Sequence, residues 1–318
     1  MNVKSLLVCA AAAVAPLLSA GLAHADDEAI LLRHRYEKDH PLIYRTTAET
    51  EQVQSFMGQK VTMTMKQTDV TQRSLETVNE DGNLRVKSEN KQLLTTMKSA
   101  LGEYKFDSKV AEREKGSALS AALNPIYERL SGATLTMVIT PRGEVKEVEG
   151  LDMLLADVLK DNPLGAQFAG GGSKGAARLS QQESSDQLPE QPVKKGDKWE
   201  IPYEMDLPKL GKVTGKRVYT FEDVDKVGER ETVRLGVTLE MSFDLAIEMG
   251  GAKVTGKMSV SDSSGTVHFD PKRGETVSKK AKYTISGDLT VDAGGNIIPV
   301  RSDQTQSVTV ELLEKLPE

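Results

Sequence analysis

The chain has 318 residues, of which 38% are hydrophobic, and a formal net charge of −6. Basic and acidic residues are interspersed, which predicts solubility and argues against nucleic acid or an anionic membrane as the partner, since both require a basic face. Aromatic residues make up 4%, with one tryptophan, so base-stacking platforms are not expected as a dominant feature.

Residues 1–25 have the pattern of a signal peptide. Lys4 precedes an apolar or small stretch, 6–22, and Ala23-His24-Ala25 provides the small residues that signal peptidase reads. The competing interpretation is a membrane anchor, but a stable span needs about 20 strongly apolar residues. We therefore predict cleavage after Ala25, a periplasmic or secreted protein, and no transmembrane segment after signal removal.

The only cysteine, Cys9, is lost with this leader, which removes thiolate chemistry from the mature chain.

Residues 26–160 form a predicted N-terminal β half. Residues 61–66 alternate apolar and polar side chains with the period of a strand, and turn-forming residues occur at 81–83 and 141–143. Helices are predicted near 117–131, capped by Ser117 and interrupted by Asn124-Pro125, and near 151–160. A Gly/Ser-rich and then polar stretch, 161–192, is the predicted linker.

Residues 193–318 form a predicted C-terminal β half, which contains the clearest pattern in the chain. From Val233 to Met249 every odd position is apolar and most even positions are polar or charged, as expected for a strand with one face in water. At about 3.4 Å per residue this strand, or near-continuous pair of strands, would be about 55 Å long, and a sheet of such strands must twist and curl. A turn is predicted at 261–265, and Lys279 interrupts the apolar alternation of 277–291.

The predicted fold is therefore mainly β, with long antiparallel curled sheets in two similar halves and two or three helices between them. The halves share a Pro-basic-Gly-Glu turn, at 141–144 and 271–275, and a charged turn leading into a strand, at 37–44 and 194–201. These similarities indicate an internal repeat, and the alternative is that hairpin turns rich in Pro and Gly look alike without common ancestry.

The chain resembles a group of uncharacterised secreted bacterial proteins with a duplicated β-rich domain of unknown function. Three segments carry this resemblance: 31–36 (LLRHRY), 195–199 (KGDKW) and 270–274 (DPKRG). The resemblance implies export and a duplicated β architecture, and it brings no activity or site residue with it.

Short motifs for catalysis, nucleotides or metals have weak support. Gly171–Gly175 matches the nucleophile elbow, with His268 as a conceivable base, but the serine lies in the linker instead of a strand-to-helix turn. Gly251–Met258 approaches a phosphate-binding loop but has methionine in place of Ser/Thr. Glu222 and Asp223 have the chemistry of a glycosidase pair, but adjacent carboxylates are common on an acidic surface.

The set His34, Glu37, Asp39 and His40 could be pictured on a metal, although histidines at the surface beside a turn explain it better. No cofactor or metal is predicted.

Methionines at apolar strand positions suggest a pliable groove for a hydrophobic ligand, and an ordinary core is the alternative. The candidate groove residues are Met241, Phe243, Leu245 and Ile247. The sequence leaves three functional classes open: a non-enzymatic binding or scaffold module of the envelope with a protein partner, a periplasmic carrier of lipid or another hydrophobic ligand, and a hydrolase without a recognisable motif. The first of these is the leading hypothesis.

Overall fold

The fold is taken from a computed structural model that describes residues 29–112, 116–151, 153–154, 186–207, 211–249 and 251–317. In these ranges the chain is mainly β, as predicted, with one helix of more than a single turn. The strands are β1 (Leu42–Phe56), β2 (Gln59–Val78), β3 (Leu84–Ser99), β4 (Gly102–Asp107), β5 (Thr134–Ile139), β6 (Val145–Glu149), β7 (Lys198–Leu207), β8 (Gly211–Val227), β9 (Arg230–Met249), β10 (Ala252–Asp270), β11 (Glu275–Ala293) and β12 (Asn296–Leu313); the helix is α1 (Ala118–Leu130).

The described strands form one open antiparallel sheet with the order β6-β5-β3-β2-β1-β12-β11-β10-β9-β8-β7, and β4 pairs with β3 beside β5. Neighbours in this order are mostly consecutive in sequence, so the sheet is a succession of hairpins. The first strand pairs with the last, from Ile43 opposite Leu313 to Phe56 opposite Val300. This pairing joins the strands of the predicted N-terminal half and those of the C-terminal half in a single sheet.

The long alternating segment is a single strand, because β9 has 20 residues and contains Val233–Met249. The predicted turns at 81–83, 141–143 and 271–274 connect successive strands as expected. The turn predicted at 261–265 is wrong, since β10 continues through it with a shift of register between Ser259 and Gly265 against β9. Ser263 Oγ accepts a hydrogen bond from the Leu239 backbone N–H at 2.8 Å, so a side chain replaces a backbone partner across the irregularity.

Side chains of strands as far apart in the sheet as β2 and β8 line one cavity, so the sheet curls, as a sheet of long twisted strands does. Antiparallel register places Val237 of β9, Lys279 of β11, Val308 of β12 and Tyr44 of β1 on the same face. We call this the concave face, since its side chains from eight strands line a common cavity.

Three buried clusters cover parts of the concave face. The largest packs Leu32 and Leu188, which precede β1 and β7, against strands β8, β9 and β10. A second packs residues of β3, β5 and β6 around Val86. The third packs Phe106 and Tyr104 of β4 against Tyr127 of α1. Chain segments outside the strands thus shield much of the apolar surface from water, which is the main stabilising contribution to such a fold.

Helix α1 begins where the sequence predicts. Ser117 is its N-cap, and the Ser120 backbone N–H donates to Ser117 Oγ at 3.0 Å. The helix continues through Pro125, so the interruption predicted at Asn124-Pro125 is wrong. Residues 151, 153 and 154 are helical, and the rest of the second predicted helix lies outside the described residues.

Residues 1–28 and most of the predicted linker also lie outside the described part of the chain. The described end of that linker, 186–192, is held in the fold, with Asp186, Gln187 and Leu188 buried.

Candidate functional site

The concave face contains a cavity of about 250 Å³ that is enclosed on most sides. Its apolar wall combines side chains of β1, β9, β11 and β12. Its polar end carries Arg73, Asp186, Arg217 and Lys279, together with the aromatic rings of His34, Tyr36 and Tyr44. An apolar wall with a few convergent polar groups is the usual form of a small-molecule site.

An extended segment before β1, residues 29–36, closes one end of this cavity. The His34 backbone N–H donates to Pro141 O at 2.7 Å, and the Arg35 N–H donates to Gly274 O at 2.9 Å. The two Pro-basic-Gly turns singled out in the sequence therefore hold the same segment from two sides. The motif at 31–36 and the turn at 270–274, which are far apart in sequence, are therefore in direct contact.

Both turns need glycine at their last position. Gly143 has φ +86° and Gly274 has φ +71°, a region that favours glycine. A Cβ on Gly274 would lie 2.6 Å from Arg33 O, and a Cβ on Gly143 would overlap Asp186 O. The glycines let the turns approach the segments that close the cavity.

The described end of the predicted linker, 186–192, forms the other part of this closure. Arg33 Nη1 donates to Pro189 O at 2.7 Å, and Arg142 Nε donates to Leu188 O at 3.0 Å. The indole Nε1 of Trp199 donates to Gln187 O at 3.0 Å, and its ring stacks on Tyr219 at 5.2 Å between centroids. The single tryptophan thus anchors this segment from β7.

An ion pair between Asp186 and Lys279 is buried at the polar end. Lys279 Nζ lies 2.8 Å from Asp186 Oδ1, and the two side chains are 10% and 3% exposed, respectively. Burial opposes ionisation of the carboxyl, but Lys279 and Arg217 outweigh it and hold the pKa of Asp186 below its usual range. His34 Nε2 lies 2.8 Å from the Asp186 carbonyl oxygen, and burial lowers the pKa of this imidazole. His34 is therefore neutral at pH 7 and donates a hydrogen bond to that carbonyl.

Arg73 of β2 contributes another cation to the cavity wall. Its Cζ lies 5.2 Å from the centroid of the Tyr44 ring, a cation–π distance. Arg73 Nε is buried and has no hydrogen-bond partner among the described residues. Asp69, on the same face of β2, is its acidic neighbour, and burial raises the pKa of that carboxyl to about 6.

The predicted groove residues lie on the concave face but outside this cavity. Met241, Phe243, Leu245 and Ile247 are half-buried and occupy the part of β9 beyond Leu239. The cavity wall uses Val237 and Leu239 of the same strand instead. The polar residues Arg73, Asp186 and Lys279 were not identified from the sequence, although the lysine that interrupts an apolar strand pattern was a usable signal.

His268 has neighbours that resemble a nucleophile–base–acid set. Its Nδ1 lies 3.2 Å from Ser278 Oγ, and its Nε2 lies 3.5 Å from Asp225 Oδ2. These residues occupy the opposite, convex face of the sheet, and Asp225 also pairs with Arg234 at 2.9 Å. They do not line the concave cavity, and cross-strand ion pairing accounts for their arrangement.

Other sequence candidates are dispersed in the described structure. His40 is exposed and contacts Arg273 at 2.8 Å, whereas His34 points to Asp186, so the two imidazoles are not brought together. Glu222 and Asp223 both lie by Arg234. Gly251–Met258 spans a hairpin turn and the start of β10, and the serine of 171–175 lies outside the described residues. The described ranges contain no cluster of three or more His, Cys, Asp or Glu side chains fit for a metal ion. None of the described helices has the length and apolarity needed to cross a membrane.

The solved structures that match this chain include a channel and a porin. An outer membrane channel from Pseudomonas putida F1 is 8% identical, with 91% of this chain and 98% of that chain covered and a TM-score of 0.20. A triple mutant of the Rhodopseudomonas blastica porin is also 8% identical, with 84% and 99% covered and a TM-score of 0.21. Likeness at this level carries no argument about the present protein.

Curated proteins give no match to the chain. A protein family described as a family of unknown function, DUF6263, matches residues 81–276, which is more than half of the sequence. The matched range runs from the turn before β3 to the start of β11. It includes the Trp199 segment and both Pro-basic-Gly turns, so the features that hold the cavity closed lie largely inside it. The chain therefore belongs to the DUF6263 family.

Proposed function

We propose that this protein is an exported, non-enzymatic binding module that carries a hydrophobic ligand in its concave sheet. The cavity of about 250 Å³ on the concave face is the observation that carries this proposal. Export is supported by the leader pattern of residues 1–25. We propose that the mature protein acts in the periplasm or outside the cell.

The functional classes left open by the sequence differ in what they require. A scaffold that binds a protein needs an exposed patch or a free strand edge, but has no use for an enclosed cavity. A carrier needs apolar side chains around a space that remains unfilled when the fold is complete. Natural interiors are close-packed, so a space of this size beneath a curled sheet favours the carrier.

The apolar lining of the cavity supports the proposal that the partner is a hydrophobic ligand. Its apolar side chains come from strands far apart in the chain, so folding must bring them together without filling the space between them. These side chains are Ala48, Val237, Leu239, Ala281, Val308 and Val310. A chain of methylene groups placed there would gain roughly 0.8 kcal/mol for each one buried.

We further propose that the sheet arose by duplication of a β unit. In the first half β3 pairs with both β4 and β5, with α1 between them, and in the second half β9 pairs with both parts of the irregular strand β10. In each half a Pro-basic-Gly turn then leads to the next strand. The correspondence of β4 and β5 with the two parts of β10 supports a repeat in which α1 is an insertion.

The binding proposal is tested with delipidated full-length protein, with Nile red as an apolar probe and decanol as a competitor. Ala281→Phe places a ring in the cavity and should weaken decanol binding at least tenfold, about 1.4 kcal/mol. Ala246→Phe, on the convex face of β9, is the matched control and should bind as the wild type does.

Native mass spectrometry of protein purified from its own envelope should also show bound hydrophobic molecules. Wild-type protein that binds neither probe nor decanol would contradict the proposal.

A further inference from the structure

Arg73 is the feature of the cavity that the apolar wall does not explain. It projects from β2 into the concave space, opposite Leu42 in the β1–β2 register. Its Nε is buried without a hydrogen-bond partner among the described residues. No carboxylate in the described ranges lies within salt-bridge distance of Arg73. The Asp69 carboxyl attracts the guanidinium charge from farther away and helps to raise the pKa of Arg73. A buried donor left unsatisfied is costly unless something else occupies it.

The charges that line the cavity do not balance. Among the described lining residues the cations are Arg73, Arg217 and Lys279, and the carboxylate is Asp186. Lys279 pairs directly with Asp186. Arg217 also stabilises the charge of Asp186 and donates to the Tyr219 hydroxyl at 3.5 Å. Arg73 therefore remains as the cation whose charge is least compensated within hydrogen-bonding distance.

The surroundings of Arg73 suit a small anionic group. Its guanidinium keeps its charge at any physiological pH and presents N–H donors that match carboxylate or phosphate oxygens. The Tyr44 ring fixes one side of the guanidinium, and the Tyr36 side chain hydrogen-bonds to it, which leaves Nε as the donor without a partner among the described residues. In a space shielded from bulk water, attraction between this cation and an anion is stronger than at the surface.

The apolar wall continues directly from this cation. Leu42 faces Arg73 across the β1–β2 pair, and Tyr44, Thr46 and Ala48 follow along β1 on the same face. Val310 and Val308 of β12 lie opposite Thr46 and Ala48. A ligand with its charged end at Arg73 would therefore place an attached hydrocarbon chain against Ala48 and Val308.

We propose that the cavity binds an anionic amphiphile, a fatty acid or an alkyl phosphate, with its headgroup on the Arg73 guanidinium and its chain along the concave face. This inference rests on the proposed function and adds the chemical class of the ligand. The unsatisfied donor indicates a hydrogen-bonding headgroup, and the excess of cations indicates its negative charge. The adjoining apolar wall indicates the hydrocarbon chain.

The test compares ligands of equal chain length and different headgroup on delipidated full-length protein: decanoate, decyl phosphate and decanol, each by displacement of Nile red. Wild-type protein should bind at least one of the two anions tenfold more tightly than decanol, because a hydrogen bond to a charged group is stronger than one between neutral groups. The anion that binds more tightly identifies the headgroup as carboxylate or phosphate. Decanol that binds as tightly as both anions would overturn the inference and leave the proposed function standing. Failure of all three to bind would instead refute the proposed function.

Variants assign the preference to one residue. Arg73→Gln should abolish the preference for the anions over decanol, measured as the ratio of their affinities in the same variant, whereas Arg73→Lys should retain part of it because the charge remains. Arg45→Gln is the matched control, since Arg45 lies on the convex face of the adjacent strand and pairs with Glu311 at 3.6 Å. Circular dichroism melting establishes that each variant is folded. If Arg73→Gln does not fold, the comparison of headgroups on wild-type protein still decides the question. A preference that survives in folded Arg73→Gln would overturn the assignment to Arg73.

Discussion

Asp186 and Lys279 form a buried ion pair, with 2.8 Å between Oδ1 and Nζ, that joins the segment before β7 to the middle of the sheet. The Thr276 hydroxyl also donates to Asp186 Oδ2, at 3.3 Å. The pair fixes the closing segment over the polar end of the cavity. Because both groups are buried, each depends on the other for its charge to be tolerated.

Replacing Lys279 with Met should therefore destabilise the fold by about 3–5 kcal/mol, since it leaves the Asp186 carboxylate buried without its partner. Lys282→Met, an exposed lysine on the convex face of the same strand, is the control and should change stability by less than about 0.5 kcal/mol. Urea unfolding measures both. Equal losses of unfolding free energy in the two variants would show that the Asp186–Lys279 pair contributes no more to stability than an exposed lysine does. The effect should be smaller in an Asp186→Asn background, because the unpaired charge is then absent.

Asp69 should make stability fall as pH rises through the weakly acidic range. Burial raises the pKa of its carboxyl from 3.8 to about 6, so the folded chain retains a proton that the unfolded chain releases between these values. Stability should thus decline by on the order of 2–3 kcal/mol between pH 4 and pH 7 from this group alone. Asp69→Asn should remove this decline, whereas Asp81→Asn, in the exposed turn between β2 and β3, should retain it. Denaturant titrations at several pH values test this, and identical pH profiles for wild type and Asp69→Asn would contradict it.

The glycine of the second Pro-basic-Gly turn should be hard to replace. Gly274→Ala adds strain at φ +71° and forces a Cβ against Arg33 O and the Arg35 side chain. Gly295→Ala is a matched control, because Gly295 has φ +94° but nothing within 4 Å of a Cβ. Both variants should lose about 1–2 kcal/mol from backbone strain, and Gly274→Ala should lose more. Thermal melting compares them, and an equal loss would mean that the contact with residues 33–35 contributes little.

The irregular part of β10 offers a separate test. Ser263→Ala removes the acceptor of the Leu239 N–H and should cost about 1–2 kcal/mol, since a half-buried backbone donor is left unsatisfied. Ser261→Ala, whose hydroxyl is exposed and donates to Thr284 O at 3.3 Å, should cost less. Hydrogen exchange of the Leu239 amide measures the effect directly. Unchanged protection in Ser263→Ala would show that the side chain does not replace the missing ladder bond.

Local sequence patterns predicted several of the β elements. Alternation in Val233–Met249 predicted β9 because a strand places successive side chains on opposite faces, whatever lies nearby. Ser117 predicted the start of α1 because capping depends on the first turn alone. The prediction failed at 261–265, where polar residues that usually form a turn occur in a strand instead. Only the partner strand decides this, since Leu239 supplies the donor that Ser263 satisfies.

The candidate site, in contrast, depends on distant contacts. Arg73, Asp186 and Lys279 are separated by more than ninety residues at each step along the chain, and no local pattern relates them. The interruption by Lys279 in an apolar strand was a usable signal of a buried charge that the sequence analysis did not interpret, and its partner belongs to the predicted linker. Pairing of β1 with β12 and closure by residues 29–36 create the cavity. The sequence by itself determined strands, turns and the faces they expose, because these follow from backbone geometry and the nearest neighbours. Tertiary structure alone decided which charges share one enclosed space, because burial and pairing are properties of the whole sheet.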